Sequence, residues 1–130
     1  MVHPKQIPEP GDRLPTGEDA TVQRIGTLLR CRLGGPPPGE TWSGDDAAVV
    51  AMGGGAALLL TIDAVVEGVH VDLALVTLAD VGWKALTVAV SDIGAMGGCP
   101  AHATVSVSAP GGTDVDALAG GIAEAAQHWS

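Results

Sequence analysis

The chain has 130 residues, 46% of them hydrophobic, and a formal net charge of −9. This length can bury the core of one domain, and the acidic balance argues against a nucleic-acid or anionic-membrane surface, because both need clusters of Lys and Arg. Five of the six basic residues precede residue 33 and only Lys84 follows, so the rest of the chain must handle any phosphate through metal ions or backbone amides.

The two cysteines and the lack of an apolar leader indicate in which compartment of the cell the protein is expected. Cys31 and Cys99 are too far apart in sequence for a paired zinc motif, and two thiols make no disulfide framework. No charged-then-apolar signal opens the sequence, and no apolar run approaches the length that spans a bilayer. We therefore expect a soluble protein in the reducing cytoplasm.

The first third of the sequence predicts an arm, a helix and a loop. Residues 1–17 carry four prolines, which predict a flexible N-terminal arm that precedes a domain over residues 18–130. Apolar residues at helical spacing predict a helix over residues 18–32; they are Val22, Ile25, Leu28 and Leu29. The Gly- and Pro-rich residues 34–39 end that helix.

The middle of the sequence predicts extended structure. Residues 47–52 are typical of a short strand, and Gly53, Gly54 and Gly55 predict a turn after it. Residues 56–66 are apolar on both faces and predict a longer, buried strand. Residues 69–71 predict a second extended piece.

Two helices and one more strand complete the predicted order. Thr77 and Asp80 are spaced as a capping box for a helix that runs to about Met96. Residues 101–109 predict a strand, and residues 113–128 a last helix with Thr113 and Asp116 at cap spacing. Its expected inward side chains are Val115, Leu118, Ala119, Ile122 and Ala126. We predict an α/β (α+β) layer in which helices pack on a mixed sheet.

Acids at three places in the sequence lie in or against apolar runs, where an unpaired charge is expensive to desolvate. The adjacent Asp45 and Asp46 suit hard cations, although a solvated acidic turn is the more common meaning of such a pair. Asp63 favours a metal, because the strand before it is apolar and Thr61 offers a second oxygen on the same face. Asp92 interrupts an apolar helix stripe and is as compatible with a hydrogen-bond anchor as with a ligand.

His70 and Lys84 are weaker candidates. His70 follows the Asp63 segment closely, which makes it a candidate for substrate contact, whereas a lone His is more often a surface residue. Lys84 is the single cation of the region, and we interpret it as a residue whose stem covers the helix surface rather than as a phosphate ligand.

Five blocks in this order resemble the thiamine-monophosphate kinase family, within the wider group of aminoimidazole ribonucleotide synthetase-like proteins. The blocks are residues 44–50, 61–70, 79–86, 91–93 and 95–98. The Glu-Gly-Val-His and Gly-Trp-Lys-Ala-Leu sequences within them favour the kinase over its sister families. The resemblance extends over about residues 18–130.

The resemblance implies a fold, a reaction and a site. It implies an α/β domain whose sheet forms a β-barrel with a second copy, and the ATP- and Mg²⁺-dependent phosphorylation of thiamine monophosphate to thiamine diphosphate. The positions that match the family's Mg²⁺ ligands are Asp46, Thr61, Asp63 and Asp92, with Ile62 through its carbonyl and Asp45 as a neighbour. His70 matches the residue that contacts the substrate phosphate. We assign no residue a covalent or acid–base catalytic role.

The sequence also departs from the family pattern. Ile62 stands where Thr is common, Ala89 where Asn is common, and Val71 where the family has an aromatic residue. The family's Gly-Gly-Asp block, expected shortly after residue 130, and its second domain are not in this sequence, so we expect a fragment or a truncated product. A non-catalytic dimerisation or nucleotide-binding module, and another ATP-using enzyme of the same group, are the alternatives.

Overall fold

The computed structural model describes residues 17–130, apart from the side chains of Glu18 and Asp19. Residues 1–16 of the predicted arm lie outside the described residues. The elements are α1 (Glu18–Leu33), β1 (Ala48–Gly53), β2 (Ala56–Leu60), α2 (Leu78–Ala95) and α3 (Val115–Trp129). The chain divides into two compact units, Met1–Leu58 and Leu59–Ser130. Helices and a two-stranded sheet make the described fold α+β.

Helix α1 forms where the apolar spacing predicts it and ends as expected. The N–H of Gly34 bonds the carbonyl of Arg30 at 3.0 Å, and Gly34 has a φ of 87°. Arg30 and Arg32 lie in the last turn, where positive charge complements the helix dipole. The apolar stripe is nevertheless only partly covered, because the Ile25 side chain is 52% exposed.

Strands β1 and β2 form a hairpin around the predicted glycine turn. Gly54 and Gly55 have φ values of 62° and 82°, the two positive angles of a type I′ turn, which side chains with a Cβ resist. The prediction that β2 runs to residue 66 is wrong, since it ends at Leu60. Its predicted burial is also wrong: Leu60 is 52% exposed and Ile62 94% exposed. Among residues 17–130, β2 pairs only with β1, so its other edge is unpaired and apolar side chains are uncovered.

Two other predictions of extended structure are wrong. Residues 68–70 form a turn, which a bridge between Glu67 and Val71 closes, in place of an extended piece at 69–71. Residues 101–109 are exposed and form no strand within residues 17–130. A strand needs a neighbour that satisfies its backbone groups, and alternation in the sequence does not supply one. The mixed sheet and the barrel across a dimer therefore stay predictions.

Helix α2 begins with the predicted capping box. The backbone N–H of Thr77 donates to Asp80 Oδ2 at 2.8 Å, and that of Asp80 donates to Thr77 Oγ1 at 3.2 Å. Two otherwise unpaired donors of the first turn are thereby satisfied. The helix ends at Ala95, one residue before the predicted end, with Gly97 at a φ of 73° after it.

Helix α3 packs directly on α2 through small residues. Gly82 of α2 and Gly121 and Ala125 of α3 are buried at this contact. Leu118 and Ile122 are half-buried as predicted, whereas the inward prediction is wrong for three exposed positions, namely Val115, Ala119 and Ala126. A pattern of large apolar residues misses a contact made by glycine and alanine, where the helix backbones approach each other.

Both ends of α3 are held by polar or aromatic contacts. The cap is Asp114, whose Oδ1 accepts from the Ala117 N–H at 3.0 Å; the predicted cap at Thr113 and Asp116 is wrong. At the other end, the His128 ring centroid lies 5.4 Å from that of Trp83 and 4.7 Å from that of Trp129. The indole N–H of Trp129 donates to Thr87 Oγ1 of α2 at 3.2 Å. Aromatic contact thus joins the end of α3 to α2.

The contact between α2 and α3 predicts opposite effects for two neighbouring glycines. A Cβ at Gly121 would collide with the carbonyl group of Ala79, which is backbone and cannot swing away. Gly121→Ala should therefore lower the free energy of unfolding by about 1–3 kcal/mol. Gly120 has open space around it, so Gly120→Ala should stabilise by up to about 1 kcal/mol through helix propensity. Urea unfolding of both variants measures this; equal effects would contradict the close contact.

The capping box predicts a pH dependence. Hydrogen bonds from the hydroxyl and the backbone N–H of Thr77 hold the pKa of Asp80 below its ordinary value of 3.8. A carboxyl whose pKa is lower in the folded state stabilises above its unfolded pKa, and that stability is lost as pH falls through the folded pKa. Asp80→Asn should therefore lower the melting temperature at neutral pH and lose its effect in strong acid.

The matched control for the capping box is Asp116→Asn. Asp116 also lies in the first turn of its helix, but no hydrogen bond of its side chain is found in the described structure. Its removal deletes a first-turn charge without deleting a cap. If thermal melts from neutral pH to strong acid showed the same loss for both variants, the cap bonds of Asp80 would not be the source.

Candidate metal and substrate site

The centre of the candidate site is a hydrogen bond between the segment after β2 and the last turns of α2. The Thr61 hydroxyl donates to Asp92 Oδ2 at 2.8 Å, and both side chains are partly buried. Thr61 directly follows the strand, and Asp92 is held by the regular backbone of α2. The bond orients the Asp92 carboxylate, so Asp92 does have the anchor role that the sequence left open.

Asp63 brings a second carboxyl to the same place. Partial desolvation raises the pKa of Asp63 above its ordinary value of 3.8, and the charge and hydrogen bonding of Asp92 raise it further. His70 acts in the opposite direction through its charge. The Asp63 side chain as a whole is exposed, so its carboxyl stays accessible while neighbouring atoms remove part of its water. Two carboxyls this close favour a shared proton or a bound cation.

The donor set fits a magnesium ion. Mg²⁺ is commonly bound by one or two carboxylates together with waters and substrate phosphates, rather than by a full protein cage. Asp63, Asp92 and the Thr61 hydroxyl supply two carboxylates and one neutral oxygen. Within residues 17–130, no three His, Cys, Asp or Glu side chains cluster as a metal site, so these two carboxylates stand without a third such ligand among the described residues.

The loop between β2 and α2 presents His70 near Asp63. The backbone N–H of Val66 donates to His70 Nδ1 at 3.0 Å, so this ring nitrogen is an acceptor. In neutral imidazole the proton then resides on Nε2. Since Nδ1 is occupied within the loop, Nε2–H is the group that can bond an acceptor such as a phosphate oxygen.

Lys84 is placed differently from the sequence interpretation. Its Nζ donates to the carbonyl oxygen of His70 at 2.7 Å, so the side chain bonds the loop in addition to lying along α2. Sequence reasoning missed this contact. One available signal was charge: residues 59–130 contain Lys84 as their one Lys or Arg against eight acids, which are Asp63, Glu67, Asp72, Asp80, Asp92, Asp114, Asp116 and Glu124.

The remaining predicted ligands are placed as follows. Asp45 and Asp46 are exposed in the bend before β1, and Asp45 Oδ1 accepts from the N–H of Asp46 at 3.0 Å. Both belong to the unit Met1–Leu58, whereas the site above lies in Leu59–Ser130. Ile62 exposes its side chain to solvent, so a ligand role would fall to its carbonyl oxygen. The roles of these three residues stay predictions.

Some general properties of the chain accord with the sequence. Cys31 and Cys99 are both free and exposed. Along residues 17–130, no helix has both the length and the apolar character needed to cross a membrane.

Comparison with known proteins identifies relatives of one kind. The chain is 40% identical over 67 residues to a thiamine-monophosphate kinase of Bacillus subtilis, an alignment that covers 52% of this chain and 21% of that protein. It is 39% identical over 67 residues to the thiamine-monophosphate kinase of Synechococcus elongatus, covering 52% and 20%. A third, from Aquifex aeolicus, is 49% identical over 53 residues, covering 41% and 17%.

These alignments span about a fifth of the length of the curated relatives. No solved structure matches the chain significantly. A family model, AIR synthase related protein, N-terminal domain, matches residues 44–130, which is more than half of the sequence and includes all five blocks that carried the resemblance. The resemblance found in the sequence is confirmed: the chain belongs to the AIR synthase related protein family, as a copy of its N-terminal domain.

Proposed function

We propose that this chain supplies the metal-binding N-terminal domain of an enzyme that phosphorylates thiamine monophosphate with ATP and Mg²⁺, giving thiamine diphosphate. The observation that carries the proposal is the group formed by Thr61, Asp63 and Asp92, with the pKa of Asp63 raised by partial desolvation and by Asp92. The thiamine-monophosphate kinase relatives supply the substrate class. The acids Asp45 and Asp46 and the Ile62 carbonyl are included as further ligands.

The charge of the chain explains why such a reaction would need cations. Transfer of a phosphoryl group to another phosphate brings like charges together, and catalysis consists mainly of positioning and charge neutralisation. Bound Mg²⁺ would supply that neutralisation. Asp63 and Asp92 would hold the ion, and Thr61 would keep the Asp92 carboxylate oriented. With Lys84 as the one Lys or Arg after residue 58, the domain has few side chains of its own for this task.

His70 has the donor needed to recognise the acceptor substrate. Its Nδ1 is bonded to the Val66 N–H, which leaves Nε2–H as a donor. A phosphate oxygen of thiamine monophosphate is a suitable acceptor, and Nε2–H would bind it by a directional hydrogen bond. The influence of His70 on the pKa of Asp63 is consistent with a substrate contact beside the metal.

Two isosteric substitutions test the metal site. Asp63→Asn and Asp92→Asn each remove one negative ligand while keeping side-chain size, so each should weaken Mg²⁺ binding by about tenfold or more. Calorimetric titration of the full chain with Mg²⁺ measures this directly. Conversion of thiamine monophosphate and ATP to thiamine diphosphate, followed by chromatography, should fall in parallel.

Glu124→Gln is the matched control, because it removes one negative charge from an exposed position on α3, an element that supplies none of the proposed ligands. It should leave both measurements unchanged. Native Mg²⁺ affinity in both Asp variants would sink the metal assignment. Binding of Mg²⁺ and ATP without any turnover would favour the non-catalytic nucleotide-binding module instead.

A second copy of the chain is also part of the proposal. It would cover exposed apolar side chains at and just after the end of β2, namely Leu60 and Ile62, and would pair the open sheet edge. Sedimentation of the full chain should then show a dimer that Leu60→Asp dissociates. The control, Leu75→Asp, changes an exposed leucine outside the sheet and should leave the dimer intact. If the native chain sediments as a monomer, the proposal of a dimer is wrong.

A further inference from the structure

Most hydrogen bonds of the loop that carries His70 join residues within the loop itself. The carbonyl of Val66 accepts from the N–H of His70 at 2.8 Å and from that of Val69 at 3.2 Å, and the N–H of Gly68 bonds the carbonyl of Val71 at 2.8 Å. The imidazole joins this set through the bond from Val66 N–H to Nδ1. These bonds determine the shape of the loop but not its orientation toward the rest of its unit.

Apolar packing contributes little to that orientation. Val69 at the turn is 74% exposed, and His70 is exposed as well. Among the described residues, the side-chain hydrogen bond that reaches this loop from α2 is the one from Lys84 Nζ to the His70 carbonyl oxygen, at 2.7 Å. A bond from an ammonium group is stronger than one between neutral partners.

The helix that carries Lys84 also carries Asp92. The two residues are eight positions apart on α2, which corresponds to about 12 Å along the helix axis. Lys84 therefore joins the His70 loop to the same rigid element that holds a proposed metal ligand. Because the helix is rigid, it can keep a constant distance between the proposed substrate contact at His70 and the proposed metal ligand Asp92.

We propose that Lys84 is a positioning residue, which orients His70 toward the phosphate of thiamine monophosphate by bonding its carbonyl. This inference rests on the proposed function, since it concerns the substrate contact of that site. Lys84 does not itself contact the substrate. It acts on affinity through the His70 ring.

Three variants of the full chain test this role. Lys84→Met keeps most of the aliphatic stem and removes the donor, so thiamine monophosphate should bind about three- to tenfold more weakly in calorimetry, the exposed bond being partly screened. Lys84→Arg keeps a donor and should restore most of the affinity. Gln127→Glu on α3 changes the net charge by the same amount as Lys84→Met and should leave binding unchanged, which separates local from bulk electrostatics.

A double-mutant cycle separates positioning from direct contact. If Lys84 acts through His70, then His70→Ala weakens binding and Lys84→Met adds nothing in that background. A further loss in the double variant would mean that Lys84 touches the substrate, which overturns the proposal. Unchanged binding by Lys84→Met alone would also overturn it.

A spectroscopic readout keeps the inference separate from the function. Nitrogen NMR of labelled histidine should show a protonated Nε2 and an acceptor Nδ1 for His70 in the native chain, and Lys84→Met should shift these signals toward a mixture of tautomers. Unshifted signals would contradict the positioning role even if thiamine monophosphate binds. If the native chain does not bind thiamine monophosphate while the shift is seen, the proposed function fails and the structural link between Lys84 and His70 stands.

Discussion

The close approach of the Asp63 and Asp92 carboxyls is the interaction on which the functional interpretation depends. Partial desolvation of a charge is unfavourable, and the nearby like charge of Asp92 adds to the cost, which is why the pKa of Asp63 is raised. A protein keeps such an arrangement when a proton or a cation offsets it. The unit Leu59–Ser130 contains eight acids and one lysine, so it has few cations of its own for this purpose. Under the proposed function, bound Mg²⁺ would make this acidity compatible with phosphate chemistry.

Helix α2 organises most of what surrounds this pair. Its capping box at Thr77 and Asp80 fixes the residue at which the helix begins, and hence the positions of Lys84 and Asp92 along the helix axis. Its contact with α3 is made through Gly82 and Gly121, where the backbones meet without side chains between them. A helix braced in this way keeps Lys84, the proposed positioning residue, and Asp92, a proposed metal ligand, at a constant separation. Small residues at the helix contact thus serve the geometry of the site.

The described part of the chain also leaves apolar side chains exposed to water. Leu60 at the end of the hairpin and Ile62 after it are in contact with water, and residues 101–109 alternate as a strand would without forming one within the described residues. An open edge beside apolar side chains is the condition under which strands pair with another chain. The proposed second copy accounts for both observations with one physical cause.

Local signals in the sequence determined much of the fold. Helical spacing located α1, the Thr77 capping box located α2, and the three consecutive glycines located the hairpin turn, because each depends on residues within a few positions of one another. Family motifs likewise named Thr61, Asp63, Asp92 and His70 as candidates. Tertiary structure decided the rest. Strand lengths and burial depend on neighbouring strands, the inward face of α3 depends on how closely a second helix can approach, and the bond from Lys84 joins residues 14 positions apart. Contacts of that kind follow from the folded path of the chain, which periodicity and spacing do not encode.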